Sequence, residues 1–196
     1  MTSIVAREPA CTVRPARPED TAKIDALDTS FTTSTVFEVT ASVTGFSLRE
    51  VPVDPPLTKV FPDDGHDVDG GTQDGSGPAG EEPHNQTFAA VAADGGLAGF
   101  AAVSYSPWNR RLTVEDIGIA PAHRRQGIGR LLVAHAMDFA RTQEAAHLWL
   151  EVTNVNAPAI HAYLRMGFTF CGLDTTLYDG TASAGEQALY MSMPCS

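Results

Sequence analysis

Residues 111–143 read RLTVEDIGIAPAHRRQGIGRLLVAHAMDFARTQ, and this segment carries the clearest information on the fold. Its first part, 112–119, has the composition of a strand and ends just before a proline. Over about 127–143 apolar residues recur at intervals of three and four, which predicts one amphipathic helix. A further strand is predicted at 147–153. Strand, crossover helix and strand in this order predict a mixed sheet with at least one parallel strand pair.

The rest of the chain alternates further strands and helices, so the predicted fold class is α/β (mixed α+β), a mixed central sheet flanked by helices. Strands are predicted at 11–14, 46–51, 57–61, 88–93, 97–105, 168–173 and 188–193, and short helices at about 17–28 and 157–166. Asp94-Gly95-Gly96 predicts a hairpin turn, and Asp54-Pro55-Pro56 predicts a turn between two separate strands. Asn156 and Gly167 predict the two caps of the last helix.

Length and composition indicate one domain, residues 1–196, with a substantial core. The 196 residues are 43% hydrophobic and 19% charged, which excludes a wholly disordered acidic protein. The formal net charge is -11, and such acidity argues against a nucleic-acid-binding protein, which needs a basic face. It permits a cationic ligand.

A polar segment at about 62–86 contains seven acidic residues and no Lys or Arg, which predicts a flexible acidic loop. A calcium site is the alternative, because four aspartates lie close together among glycines: Asp63, Asp64, Asp67 and Asp69. Their spacing differs from that of the EF-hand loop, so the loop is the favoured interpretation.

The three cysteines are widely spaced and lack zinc-site spacing, so we expect reduced thiols and no metal site. Cys171 is expected to pack inside a strand. The N-terminal residues do not have the pattern of a signal peptide, and the chain has no apolar run long enough for a membrane span. The sequence therefore predicts a cytoplasmic protein without a membrane partner.

A basic, glycine-containing turn, Arg124-Arg125-Gln126-Gly127-Ile128-Gly129-Arg130, lies where the strand ends and the long helix begins. The N–H groups of a helix's first turn point outward at the positive end of its dipole, and glycine lets a ligand approach the backbone closely. This pattern predicts a cradle for a pyrophosphate. The sequence matches neither a Walker A loop nor the dinucleotide fingerprint. A glycine-rich helix cap without a ligand is the structural alternative.

Two ionisable side chains are candidates for acid–base chemistry. Glu151 lies on a strand face between Trp149 and Thr153, where a carboxylate needs a partner or a function. Tyr163 lies on the following short helix, and its hydroxyl can project toward the end of the strand. An ordinary ion pair and a buried structural tyrosine are the alternatives for these two residues.

The order of these segments resembles the GNAT superfamily of acetyl-CoA-dependent N-acetyltransferases. The resemblance rests on Arg-x-x-Gly-x-Gly after a strand, then Leu-Glu-Val, then Asn-x-x-Ala-Ile-x-x-Tyr-x-x-x-Gly-Phe, all within 112–173. Further segments at 30–39, 48–52, 59–64 and 148–157 resemble members of this superfamily that acetylate streptothricin-type antibiotics. The resemblance implies a GNAT fold and an acetyltransferase that uses acetyl-CoA and no metal.

The resemblance also implies roles for individual residues. Glu151 would be the general base and Tyr163 the general acid. The cofactor-binding residues implied are Ile117, Gly118, Ile119, Arg124, Arg125, Gln126, Gly127, Ile128, Gly129, Arg130 and Asn156. In this scheme the strand at 117–119 binds pantetheine through its backbone, where Gly118 suits a bulge or a close approach, and 124–130 holds the pyrophosphate.

The implied substrate is a small cationic antibiotic of the streptothricin type, which would be acetylated on its β-lysine amine and so inactivated. Carboxylates and aromatic rings that suit a cation are the candidate substrate residues. They are Glu38, Asp54, Asp116, Phe37, Tyr105, Trp108 and Trp149, with Asp116 preferred over its neighbour Glu115. Another amine, on an aminoglycoside or a protein N-terminus, and a non-catalytic acyl-CoA-binding regulatory module are the alternatives. A homodimer is an expectation from the family.

Overall fold

The structure, a computed structural model, describes residues 11–61 and 84–195. The predicted acidic loop lies outside these residues except for its last three positions, and so does the calcium alternative. Asn85 and Gln86 already belong to a strand, so the loop prediction extends two residues too far at its end.

The elements follow in this order: β1 Cys11–Pro15, α1 Thr21–Asp25 after a 3₁₀ turn at Pro18–Asp20, β2 Phe31–Ser42, β3 Gly45–Lys59, β4 Asn85–Ala92, β5 Leu97–Ser106, β6 Arg111–Ile119, α2 Ile128–Thr142, β7 His147–Thr153, α3 Ala157–Met166, β8 Thr169–Asp174 and β9 Ala188–Pro194. Within the described part of the chain, seven strands form the central sheet in the order β1-β4-β5-β6-β7-β9-β8. Only the β6–β7 pair is parallel among these neighbours, which confirms the predicted mixed sheet and crossover.

Helix α2 covers the sheet and closes the core. Its residues Leu132, Ala136 and Ala140 have no exposed surface, and the strand residues Leu112 and Leu148 are equally buried. The helix contacts β4, β5, β6 and β7, so its apolar stripe buries the strands on both sides of the crossover. The predicted helix at 127–143 is confirmed within one residue at each end.

The β6–β7 ladder opens partway along the strands. Pairing joins 111–114 to 147–150 and ends there, although β6 continues to Ile119 and β7 to Thr153. A bulge accompanies the opening, because Ala102 pairs with Asp116 whereas Val103 pairs with Val114. Glu115 is the extra residue, and such a bulge bends its strand. Residues 115–119 of β6 and 151–153 of β7 are therefore unpaired with each other, and the space between these two stretches is called the slot below.

Gly118 is packed too tightly for a side chain. A Cβ there would lie 2.7 Å from the Phe100 ring and 2.8 Å from Thr29 Cγ2. The predicted close approach is therefore one of the protein's own side chains, and the bulge lies at Glu115 rather than at Gly118.

The second sheet is the hairpin of β2 and β3, and here the sequence prediction was wrong. Two strands separated by a turn at residues 54–56 were predicted, but β3 is continuous from Gly45 to Lys59. The ladder passes from Thr35–Pro52 to Thr33–Leu57, so the prolines lie in a bulge where they need not donate hydrogen bonds. Strand β2, rich in Thr and Ser, was not predicted.

Two smaller expectations also differ from the structure. The first helix ends at Asp25 instead of about residue 28. Cys171 is exposed, because it lies in β8 at a register shift between Phe170 and Gly172 rather than packed inside the strand. None of the helices within 11–61 and 84–195 is both long and apolar enough to span a membrane.

Candidate active site

The slot between β6 and β7 brings the candidate acid–base residues to one place. Glu151 follows directly after the last paired residue of β7, Leu150, and so lies where the strands begin to diverge. Asp116 follows the bulge on β6. Helix α3 contributes Tyr163, and the connection between β8 and β9 contributes Tyr178.

Glu151 is a half-buried carboxylate with one strong partner. The Tyr178 hydroxyl donates a short hydrogen bond to Glu151 Oε1. Burial raises the pKa of Glu151, and the nearby negative charge of Glu186 adds to the rise, whereas the hydrogen bond from Tyr178 lowers it. The net direction is upward, which brings the carboxylate closer to the pKa of an efficient base near neutral pH.

Tyr163 is buried and packs edge-on against Phe168, with ring centroids 5.6 Å apart. Burial raises its pKa strongly, and the negative charges of Asp116 and Glu151 raise it further. The phenol is therefore protonated throughout the physiological range. Because Glu151 contributes to that shift, the predicted base and acid lie within one electrostatic neighbourhood.

The bulge in β6 separates two adjacent acids. Glu115 is exposed, and its carboxylate accepts a short hydrogen bond from the Ser104 hydroxyl. Asp116 is half-buried and acts on Tyr163. Of the two, Asp116 is the one placed beside the candidate acid–base pair.

The turn before α2 has the features of an anion cradle. Gly127 is the N-cap with φ +84°, and Cβ atoms built on Gly127 and Gly129 would meet nothing within 4 Å. Among the described residues, no acceptor is recorded for the backbone N–H groups of 127–130, and no side chain caps the helix. Arg125, Gln126 and Arg130 are exposed here, so an anion reaching this turn meets open N–H donors beside positive charge.

Arg124 is used differently from its neighbours. Its Nε donates to the Ile119 carbonyl at 3.0 Å and its Nη2 to the Asp28 carbonyl at 3.1 Å. The side chain thus joins the end of β6 to the segment before β2. In the structure it braces the turn, and a role in holding a ligand stays a prediction.

Asn156 begins α3 as predicted, because its Oδ1 accepts a hydrogen bond from the Ala159 N–H at 3.2 Å. Gly167 ends the helix with φ +102°, also as predicted. The caps hold α3, and with it Tyr163, at the end of β7. Contact between Asn156 and a ligand stays a prediction.

The candidate aromatic residues do not converge on one site. Phe37 is buried between His161 and Phe170, with ring centroids 5.6 and 6.3 Å away. Tyr105 packs against His84 at 5.7 Å. In the structure these rings pack against neighbouring aromatic side chains, and a role in binding a substrate stays a prediction.

The two tryptophans differ in position. Trp149 stacks on Tyr190 at 4.8 Å and already carries the Arg111 guanidinium 4.7 Å from its centre. Trp108 is 87% exposed in the turn before β6, at the end of the sheet opposite the slot, so the structure does not bring it to Glu151. A cationic substrate that bound Trp149 would have to share the indole ring with the Arg111 guanidinium.

The remaining candidate acids lie on the hairpin. Glu38 is exposed and pairs with Arg49 at 2.5 Å across the two strands. Asp54 is exposed in the bulge of β3. Neither carboxylate has a contact with Glu151 or Tyr163 among those that the structure describes.

Sequence reasoning missed three residues next to the site: Tyr178, Glu186 and Lys59. Lys59 Nζ lies 2.5 Å from Glu186 Oε1, and the two are separated by 127 positions in the chain. Tyr178 and Glu151 are 27 positions apart. No local spacing joins such residues, and only the elevated count of polar residues between β8 and β9 marks the segment.

Residues 53–168 match the acetyltransferase (GNAT) family. The chain is 68% identical over 182 residues to streptothricin acetyltransferase of Streptomyces lavendulae, covering 93% of this chain and 94% of the relative.

Solved structures agree. A crystal structure of nourseothricin acetyltransferase superposes with a TM-score of 0.85 at 63% identity, covering 96% of this chain and all of that one. A putative streptothricin acetyltransferase from Bacillus anthracis str. Ames, at 22% identity over 94% of this chain and 97% of that one, shares the fold with a TM-score of 0.73.

Proposed function

The chain belongs to the acetyltransferase (GNAT) family, and we propose that it transfers the acetyl group of acetyl-CoA to an amine of a streptothricin antibiotic. The acceptor is the β-lysine amine, and its acetylation inactivates the antibiotic and confers resistance. The 68% identity to streptothricin acetyltransferase along 93% of the chain supports this substrate. The observation that carries the chemistry is the opening of the β6–β7 ladder beside Glu151 and Tyr163.

The residues around the slot fit acetyl-CoA as the co-substrate. An extended arm fits between two diverging strands along 117–119, and a pyrophosphate fits the open N–H groups and positive charge at 124–130. Asn156 lies at the start of α3, three residues after the end of β7. Acetyl-CoA supplies an electrophilic thioester carbonyl, and the chain's own residues supply the proton transfers.

Glu151 acts as the general base. An alkylammonium is protonated near neutral pH and has no free electron pair until a proton is removed. Oε1 of Glu151 is held by Tyr178, which leaves Oε2 to take that proton, directly or through a water molecule. The raised pKa of Glu151 makes it a better proton acceptor than an exposed carboxylate.

Tyr163 acts as the general acid. Its raised pKa keeps the hydroxyl protonated, so a proton is available for the thiolate that leaves. The buried ring, packed on Phe168, holds the hydroxyl in one position. Asp116 contributes negative charge that favours a cationic substrate in the slot.

The same proposal describes one domain that works in the cytoplasm on a diffusible antibiotic. Acetylation of an aminoglycoside or a protein N-terminus and a non-catalytic acyl-CoA sensor are the competing functions. Retention of both Glu151 and Tyr163 at one site favours turnover over sensing.

Resistance in a susceptible bacterium tests the function directly. Expression of the protein should raise the inhibitory concentration of streptothricin and leave that of an aminoglycoside unchanged. Glu151→Gln at equal protein level is the matched control and should give a much smaller increase. Growth inhibition by streptothricin that is the same with and without the wild-type protein would refute the proposal.

A further inference from the structure

Among the described residues, Tyr178 is the only hydrogen-bond donor to the side-chain carboxylate of Glu151. It occupies Oε1, and no partner is recorded there for Oε2. The donor lies in the connection between β8 and β9, residues 175–187, outside the elements that carry the other candidate catalytic groups. Its position therefore depends on how that connection is anchored.

The start of the connection is fixed by Asp174. Its Oδ1 accepts hydrogen bonds from the Thr176 N–H at 2.8 Å and the Leu177 N–H at 3.0 Å, and from the Thr176 hydroxyl at 2.8 Å. Three donors on one oxygen, all directly before Tyr178, hold the turn that aims the ring at Glu151. Charge-assisted bonds of this kind are among the stronger hydrogen bonds.

The end of the connection is fixed by an ion pair with the hairpin. Lys59 Nζ lies 2.5 Å from Glu186 Oε1 and 2.7 Å from Ser183 Oγ, and the Lys59 and Glu186 side chains are 11% and 17% exposed. The Thr153 hydroxyl donates to Glu186 Oε2 at 2.6 Å, so both carboxylate oxygens are engaged. Such a nearly buried, fully satisfied pair fixes geometry more effectively than an exposed one.

Building on the function proposed above, we propose that Tyr178 is a positioning residue that holds Oε1 of Glu151 and turns Oε2 toward the substrate amine. The Lys59–Glu186 ion pair anchors the connection that carries Tyr178 and compensates the charge of Glu186 behind Glu151. The hairpin thereby belongs to the machinery of the site through Lys59, although it contributes no group to the chemistry.

The groups that face Glu151 come from every neighbouring element. They are Tyr178 and Glu186 from the β8–β9 connection, Tyr190 from β9, Tyr163 from α3 with Asp116 of β6 beyond it, and Lys59 of β3 paired to Glu186. The hydrogen bond from Tyr178 lowers the pKa of Glu151, whereas the charge of Glu186 raises it.

Two variants should therefore move the titration of Glu151 in opposite directions. Tyr178→Phe removes the stabilising hydrogen bond, so the acidic limb of the pH–rate profile should move to higher pH by about one unit. Glu186→Gln removes a neighbouring negative charge but keeps an acceptor for Lys59, so the limb should move to lower pH. Loss of positioning should also lower kcat of Tyr178→Phe by about 10-fold, with a smaller change in KM.

Tyr190→Phe is the matched control. Tyr190 pairs with Glu151 across β7 and β9, and its ring stacks on Trp149, but its hydroxyl donates no recorded hydrogen bond to Glu151. The variant removes the same group from an adjacent tyrosine and should leave both the profile and kcat near those of the wild-type protein. Thermal unfolding of all variants establishes that each is folded.

The Glu151 titration is followed in two ways, by the pH–rate profile with streptothricin and by carboxyl ¹³C NMR of the protein without substrate, assigned with Glu151→Gln. Opposite shifts for Tyr178→Phe and Glu186→Gln, with none for Tyr190→Phe, support the inference. If Glu151 titrates in Tyr178→Phe at the same pH as in the wild-type protein, the inference is overturned. An inactive wild-type protein that still shows the NMR shifts would refute the proposed function while the hydrogen-bonding inference stands.

Discussion

Glu151 combines half-burial with a hydrogen bond that leaves one oxygen open, and these two properties define what the residue can do. Burial raises the pKa of Glu151, and the hydrogen bond from Tyr178 opposes that rise. The balance keeps a base whose pKa is above that of an exposed glutamate. A change in either property should therefore appear in the pH dependence of the reaction.

Glu151→Gln should reduce kcat/KM by about 10²-fold or more at neutral pH, the lower end of the range for general acid–base catalysis. The amide keeps the size of the side chain but accepts no proton. The loss of kcat/KM should become smaller as the pH rises toward the pKa of the substrate amine, because the amine is then already deprotonated. A pH–rate profile of the variant that coincides with the wild-type profile would move the role of base to Asp116 or to water.

Tyr163→Phe tests the acid and should lower kcat with little change in the KM for either substrate, because the proton is needed only as the thiolate leaves. The ring still packs on Phe168, so the variant should fold like the wild-type protein. Steady-state kinetics of thiol release measure both constants. An unaltered kcat would exclude Tyr163 as the acid.

The sequence predicted Glu151 and Tyr163 as candidates because each stands at a fixed offset within a local pattern. Three further residues lie next to the site through contacts between positions far apart in the chain: Tyr178, Glu186 and Lys59. No local spacing in the sequence predicts such contacts. The same limit applies to Trp108, whose type suits a cation but whose turn lies at the far end of the sheet. Residue type indicates chemistry, whereas placement depends on the sheet.

At the scale of elements, α2, β7 and α3 were predicted closely because their signals are local: a 3.6-residue period, an alternating strand and two caps. The hairpin was mispredicted because two prolines ordinarily mark a turn. Here Pro55 and Pro56 lie in a bulge, where the ladder does not need the backbone N–H groups that prolines lack. The opening of the β6–β7 ladder was not predictable either, since it depends on a bulge at Glu115.

The start of α2 offers a matched pair of substitutions. Gly129→Ala should stabilise the helix by about 1 kcal/mol, since alanine is the better helix former, yet raise the KM for acetyl-CoA because a methyl group would fill the space above the N–H groups. Gly127→Ala fills the same kind of space but at φ +84°, and it should destabilise by about 1–2 kcal/mol.

Thermal unfolding and acetyl-CoA saturation curves give the two quantities separately for each variant. The combination expected for Gly129→Ala, higher stability with weaker co-substrate binding, is one that a purely structural turn would not produce. An unchanged KM for acetyl-CoA in both variants would contradict the cradle.

At the scale of the whole molecule, the net charge of -11 says little about the substrate. Seven of the 24 acidic residues lie in 62–86, which leaves 17 against 13 basic residues for the rest of the chain. The informative charges are local: positive at 124–130 and negative at Asp116 and Glu151.

The ionised carboxylate of Asp20 should stabilise the whole protein, and this stabilisation should be lost at acidic pH. Asp20 is 3% exposed and accepts hydrogen bonds from Arg14 at 2.6 Å and from the Arg17 N–H at 2.8 Å. These bonds lower the pKa of Asp20 to about 2, first through Arg14. Such a shift corresponds to about 2 kcal/mol of stability, present above pH 4 and lost as the pH falls through 2.

Asp20→Asn should therefore lower the free energy of unfolding at neutral pH, and the difference from the wild-type protein should narrow between pH 4 and pH 2. Asp25→Asn, at an exposed position in α1, is the control and should change little. Urea unfolding at several pH values measures the difference. If the difference in the free energy of unfolding between Asp20→Asn and the wild-type protein stays constant with pH, the carboxylate charge of Asp20 does not contribute to stability.

Acetylation of streptothricin by this chain is measured as thiol release from acetyl-CoA with purified protein. Streptothricin, an aminoglycoside and a peptide amine are compared at equal concentration, and the products are analysed by mass spectrometry. We expect rapid release with streptothricin, one acetyl group on its β-lysine part, and far slower release with the other two amines. No release above background with streptothricin, or a faster reaction with another amine, would show that streptothricin is not the substrate.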